Sequence, residues 1–376
     1  MRAAFVRGLP ILRIARGVLA LTALLSGVLL VMLAAVPAAL SQTATPWPEP
    51  DNSYEPEGGW PPSTPYPAQV QEIAWSPNGE LIAVGSGPPT CYWESNAHFV
   101  RIFDVHTGAL VNTLIASKCP INDIDWSWDS EFIASSSYSQ TSWTSAVVGE
   151  YPERTTVIGP YPSGYVQNVW SPTGDRVASA VPIGKDEVII WRNGGESEQI
   201  LLQIPDEQAT SVTWRPDGQV LALSSLEGGI LLHDSFSGQQ LQVLTTMPTY
   251  LVAWSPDGRT IAGVNEQHTI QVWDAQSGAL QRELPGHTGE VEQLRWSGDS
   301  RYLLTASHDG TIRTWDTETG ESVIVEQRDE PIFATDWDPA GRWIVVPPLL
   351  GTSDGASPMI VPNPLVEAPP TPTPVS

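Results

Sequence analysis

Hydrophobic and polar positions follow a simple rule around Ser255-Pro256-Asp257-Gly258. An apolar run, Tyr-Leu-Val-Ala-Trp, ends at Trp254, and a second, Thr-Ile-Ala-Gly-Val, begins at Thr260. Proline presets φ at the second turn position and glycine closes the fourth, which marks a type I turn between two short strands. Thr-Ile-Gln-Val-Trp, ending at Trp273, supplies a third strand, and Gly278 turns the chain into a fourth. No run in this region shows a sustained helical period.

The same phrase returns along the chain. The tryptophan ahead of the turn recurs as Trp75, Trp126, Trp170, Trp214, Trp254, Trp296 and Trp337, mostly at spacings of 40 to 44 residues. A Trp-Asp pair or its substitute follows each of the first six, as in Trp273-Asp274 and Trp315-Asp316. Four antiparallel strands at this period are the layout of a propeller blade. The expectation is an all-β, seven-bladed β-propeller of four-stranded blades over residues 69–362. Closure of the last blade is the weak point. After Trp337 come a second strand at Arg-Trp-Ile-Val-Val and a third at Pro358–Pro362, and then only proline-rich sequence. A strand from the N-terminal side would have to come from proline-rich chain, which lacks ladder donors, so imperfect closure is expected.

The sixth unit resembles a WD40 repeat, carrying Gly286-His287, Ser307, Asp309 and Trp315-Asp316. The resemblance implies a buried hydrogen-bonded network of His287, Ser307 (or Thr305, on the same face), Asp309 and Trp315, which would stiffen the blade. The other units lack Gly-His, and only the fifth and sixth keep Trp-Asp intact. In function the resemblance implies a protein-interaction scaffold, which fold alone does not establish.

The termini change the picture of where the protein works. Arg2, Arg7, Arg13 and Arg16 precede an uncharged apolar run from Gly17 to Val36, and Ala39-Leu40-Ser41 offers a cleavage site. Residues 1–41 are therefore expected to be a signal peptide or an uncleaved membrane anchor. Either way an exported protein of bacterial type is expected, secreted or held on the outer side of the cytoplasmic membrane. Residues 42–68 read as a proline-rich spacer and 363–376 as a disordered proline-rich tail. The net charge is −24, and loss of residues 1–41, with four arginines and no acid, makes it −28. Such acidity repels phosphate backbones and anionic membranes, so nucleic-acid binding is not expected, nor membrane contact beyond the N-terminal segment.

Catalytic constellations are missing: the chain has no H-E-x-x-H, G-x-S-x-G, phosphate loop or C-x-x-C. The six histidines show no ligand spacing, and His233 stands in the Trp place of a Trp-Asp pair. Asp123, Asp125 and Asp129 lie close together but lack the bend glycine of a calcium loop. No catalytic residue, cofactor or metal is expected. Cys91 and Cys119 are the two cysteines, and in the WD40 layout they fall in neighbouring loops on one face, where an exported protein would pair them as a disulfide. On that face the first three units are longer than the rest, and their loops carry Tyr92, Trp93, Tyr138 and Trp143. Aromatic residues on elaborated loops suit a binding site.

The reading favoured is a non-enzymatic, monomeric propeller that binds a protein partner of the cell envelope or extracellular space. One alternative binds or hydrolyses a sugar or peptide in the central depression, and another is an extracellular spacer. Clustered acids of perturbed pKa in the pore would favour the first alternative.

Overall fold

The computed structural model describes residues 70–86, 98–117, 120–137, 140–145, 156–158, 167–181, 187–192, 200–203, 209–347 and 358–366. Every strand pairing is antiparallel, and no helix occurs among the described residues. Strands pair in chain order within each sheet, innermost first. The inner strands are Val70–Trp75, Ile121–Trp126, Gln167–Trp170, Ala209–Trp214, Thr249–Trp254, Val291–Trp296 and Asp336–Trp337.

Local chemistry makes each hairpin. Gly258 N–H donates to Ser255 O at 2.9 Å, and the Ser255 hydroxyl, bound to Asp257, accepts Thr260 N–H at 3.0 Å. The Asp of each Trp-Asp pair has a similar task one turn later. Asp274 accepts the N–H and hydroxyl of Ser277 at 2.7 and 2.6 Å, and Asp316 accepts Thr319 N–H at 2.9 Å. The motif's aspartate thus supplies the side-chain acceptor that holds the turn between third and fourth strands.

The recurring tryptophan joins neighbouring sheets. Its side chain is almost fully buried in every unit. Trp126, Trp214 and Trp296 donate their indole N–H to the carbonyls of Ala74, Val169 and Ala253 on the preceding inner strand, at 2.9–3.0 Å. Each apolar cluster spans two adjacent sheets, as where Val264 and Val272 meet Leu294, Trp296 and Trp315. The core is therefore a ring of interfaces between sheets. Val70, Ile73 and Trp75 pack with Ala334 and Val345 to complete that ring.

Among the described residues, six blades have four strands each and the last unit is a sheet of three, so the expected seven four-stranded blades reduce to six. The third strand of the closing sheet, Met359–Pro362, explains why pairing stops there. Asn363 N–H donates to Arg342 O at 2.7 Å, so by alternation residues 358, 360 and 362 turn their backbone groups outward. Pro358 and Pro362 have no N–H, which leaves Ile360 as the only outward donor among the described residues of that strand. Asn363 itself, assigned above to the tail, is buried and donates to Gly341 O at 2.8 Å, and Leu365 and Val366 pack on the closing sheet.

Candidate functional site

Counting back from each tryptophan locates the central channel. The residues one and three positions before it lie on the inner edge of the ring, and many of them bind the next inner strand. One position back, Asp125, Thr213 and Asp336 accept the backbone N–H of Trp170, Trp254 and Trp75, at 2.6, 3.4 and 2.8 Å. Three positions back, Asp123, Gln167 and Ser211 accept the N–H of Asn168, Val212 and Val252, at 2.7, 2.8 and 3.3 Å. An inner strand is an edge strand with unpaired donors, and these side chains satisfy them.

Three polar channel positions, Glu72, Gln293 and Arg295, pair with one another instead. Glu72 reaches blade six, where Gln293 Nε2 donates to both its oxygens at 2.6 and 2.7 Å and Arg295 Nη2 lies 3.5 Å away. Arg295 is thus set among Glu72, Asp123, Asp125 and Asp336. Burial raises Asp123 to about 6 and Asp125 to about 7. Burial also raises Asp336 and lifts Glu72 well above the usual carboxylate range, in both cases against the pull of Arg295. Burial works against the charge on Arg295 as well, but the four acids outweigh it and keep the guanidinium protonated. Among the described residues, the channel therefore holds Arg295 as a fixed cation beside four acids raised by burial, of which Asp123 and Asp125 come close to neutral pH.

Two cavities open along this channel. One, of about 180 Å³, is lined by Asp123, Gln167, Ser211, Gln293 and Arg295. The other, of about 210 Å³, lies beside the hairpin turns and is lined by Trp75, Trp126, Asp125, Arg295, Asp336 and Pro339.

Blade six contains a separate buried chain. Trp315 Nε1–H donates to Thr305 Oγ1 at 2.9 Å, and Thr305 Oγ1 lies 2.7 Å from His287 Nε2. His287 Nδ1 lies 2.8 Å from Asp309 Oδ2. A neutral His287 with its proton on Nδ1 satisfies every link, and burial does depress its pKa. Burial would raise Asp309, but hydrogen bonds from Thr311, His287 and Thr288 hold it far below the usual range. Ser307 is not a link in this chain: its hydroxyl donates to Gly289 O at 3.0 Å and accepts Asp309 N–H at 3.1 Å. Thr305 takes the place expected of Ser307, because both lie on one face of the same strand.

The other expected site residues separate. Trp143 belongs to the strand Gln140–Ser145, opposite Ala134, and not to a loop. Tyr92, Trp93, Tyr138, Cys91 and Cys119 lie outside the described residues. His233 is buried in its Trp place with Nδ1 3.2 Å from Gly238 O. Asp129 is part of its hairpin turn, bound by Ser127 and Glu131, while Asp123 and Asp125 face the channel. In sequence Asp123 and Asp125 draw notice only beside Asp129, as a calcium loop without its glycine, and Glu72 and Asp336 draw none. The signal was present in their offset from each tryptophan.

Comparison with known proteins agrees with this architecture. The family described as WD domain, G-beta repeat matches residues 99–141, 241–274 and 278–316. The Anaphase-promoting complex subunit 4 WD40 domain family matches residues 168–252. Among curated relatives, Pre-mRNA-processing factor 19 homolog 2 of Arabidopsis thaliana is 26% identical over 156 residues, 37% of this chain and 30% of that protein. Actin-related protein 2/3 complex subunit 1A of Arabidopsis thaliana is 26% identical over 243 residues, 56% of this chain and 62% of that protein. In both cases the chain spans less than two thirds of the relative. The solved β-propeller domain of Cps50 (Swd1) from Myceliophteria thermophila superposes with a TM-score of 0.61 at 13% identity, covering 73% of this chain and 92% of that one.

Proposed function

The chain belongs to the WD40-repeat β-propeller family, and from that premise we propose that it is a non-enzymatic, exported scaffold binding protein partners of the cell envelope or extracellular space. The observation that carries this reading is how the channel acids are used. Asp123, Asp125 and Asp336 each accept an inner-strand N–H, and Glu72 is held by Gln293 and Arg295. The cavities, about 180 and 210 Å³, fall below the roughly 300–1,000 Å³ usual for small-molecule sites. Relatives named as a complex subunit and a processing factor support an interaction role. Export is supported by the N-terminal arginines and the apolar run behind them.

The test is capture by the tagged full chain from an envelope fraction. A stoichiometric partner should be retained by Asp125→Asn and lost when Tyr92 and Trp93 are replaced by Ala. A second reading, a sugar- or peptide-hydrolysing channel, is favoured by the raised pKa values of Asp123 and Asp125. Hydrolysis by the full chain that Asp125→Asn abolishes would establish that reading instead.

A further inference from the structure

Away from the channel acids, three potential metal ligands meet on blade six. Glu290 precedes the inner strand Val291–Trp296, Glu292 lies within it, and His308 directly follows the second strand, Tyr302–Ser307. In sequence the three are too far apart to suggest a motif. The hairpin brings them together, with His308 N–H donating to Glu290 O at 2.8 Å. A bulge between Val291 and Gln293 re-aims the intervening residue, Glu292. One donor atom from each of the three then lies within 4.8 Å of the others.

The side chains satisfy one another only in part: burial raises Glu292, and His308 partly offsets it. His308 Nε2 is 2.7 Å from Glu292 Oε1 yet lacks the alignment of a hydrogen bond, and this nitrogen is itself shielded from solvent. His308 Nδ1 stands 3.8 Å from Glu290 Oε2, beyond hydrogen-bond reach. Among the described residues, neither glutamate forms an ion pair with an arginine; His308 is the only partner of each. The imidazole is held from the side by Phe333, whose ring meets it edge-on at 5.2 Å. The result is two carboxylates at one imidazole, each nearest a different ring nitrogen, with no arginine paired to either.

We infer that Glu290, Glu292 and His308 form a binding site for a divalent transition-metal cation of the zinc class. The donor set, one imidazole nitrogen with two carboxylate oxygens, suits such an ion better than calcium or magnesium, which take oxygen ligands. Metal–ligand bonds of about 2.0–2.2 Å place tetrahedral donors roughly 3.4 Å apart. Donors as much as 4.8 Å apart must close by up to about 1.4 Å, while His308 Nε2 and Glu292 Oε1, now 2.7 Å apart, must part slightly, movements open to side chains that are 58% (Glu290) and 28% (Glu292) exposed. Three protein ligands leave a fourth position for water. Because Phe333 belongs to the segment entering the closing sheet, a bound ion would fix blade six at its junction with the incomplete unit.

Zinc titrated calorimetrically into the chelator-stripped full chain tests this. One ion per chain should bind, with little competition from magnesium or calcium, and zinc should raise the unfolding midpoint. His308→Ala and Glu292→Gln should each weaken binding by about 100-fold or more, beyond the 10–100-fold typical of lost outer-shell partners. Glu290→Gln, on the most exposed ligand, keeps the test valid should either of the others fail to fold. Cobalt in place of zinc should give a ligand-field spectrum that His308→Ala alters. No saturable zinc site below about 1 mM, or zinc binding unchanged in the folded variants, would overturn the assignment.

Discussion

Asp336 Oδ2 accepts the backbone N–H of Trp75 at 2.8 Å and so joins the last inner strand to the first, 261 positions apart in sequence. The same bond links Asp125 to Trp170 and Thr213 to Trp254 within the ring. Closure of this propeller therefore uses the same side-chain-to-backbone device as its internal joints.

Replacing Asp336 tests that role. Asp336→Ala strands the Trp75 N–H and should cost about 1–3 kcal/mol in chemical denaturation. Asp336→Asn removes the same charge from beside Arg295 but keeps an oxygen within reach. It should recover most of the loss. Equal destabilisation by the two variants would mean that electrostatics, and not the closing bond, carries the effect.

The parts of this arrangement that were legible in sequence are the local ones. Proline, glycine, serine and aspartate each act within four or five residues of their own position, so the hairpins could be read directly. The channel depends on contacts between neighbouring units, and Asp123 and Asp125 look in isolation like ordinary strand or turn acids. Thr305 and Ser307 are two residues apart on one strand face, so alternation could not choose between them. The three-stranded closing sheet rests on which way Pro358 and Pro362 face, and that needs the register with Trp343–Val346.

The channel acids predict a stability that falls as pH rises. Asp125 has a folded pKa of about 7 and Asp123 of about 6, above the ordinary value of 3.8. Between those limits the folded protein binds more protons than the unfolded chain, so ∂ΔG/∂pH is negative. The stabilisation is complete below about pH 4 and is lost as pH rises through 6 to 7. Asp309 and Asp316 act oppositely, since their lowered pKa values add stability that disappears below about pH 4. Denaturation midpoints should therefore increase from pH 8 to about pH 5 and drop in stronger acid. Relief of net negative charge acts in the same direction, so the decisive comparison is Asp125→Asn, which should flatten the slope between pH 5 and 7. An unaltered slope would show that Asp125 titrates normally.

The chain through His287 separates two hydroxyls that sequence could not. Thr305→Val keeps the shape but removes the partner of both Trp315 Nε1–H and His287 Nε2, and should cost about 1–3 kcal/mol. Ser307→Ala leaves that chain intact and should not alter the state of the imidazole. Nitrogen chemical shifts of His287 give the readout: Thr305→Val should move them, and Ser307→Ala should not. Movement in the Ser307 variant alone would restore Ser307 to the network.

Two serines test how the hairpin turns are joined on their own face. Ser130 and Ser300 occupy the glycine place of the turn with φ of 62°, a left-handed backbone that costs a non-glycine residue about 1–2 kcal/mol. Each gains a bond to the preceding blade: Ser130 Oγ accepts Asn78 N–H at 3.1 Å, and Ser300 Oγ accepts Asp257 N–H at 3.0 Å. Ser300→Gly relieves the backbone while losing that bond, so its stability should stay within about 0.5 kcal/mol of the parent. Ser300→Ala loses the bond and keeps the strain, and should fall by about 1 kcal/mol. The reverse change is informative at Gly258, whose φ is 71° and where an added Cβ would meet Pro216 Cδ at 3.5 Å, an ordinary contact. Gly258→Ser should fold, with the backbone cost offset by a bond from its hydroxyl to the turn of blade four. If Ser300→Ala proves as stable as the parent, the hydroxyl contributes nothing at this joint, and apolar packing alone holds the turns in register.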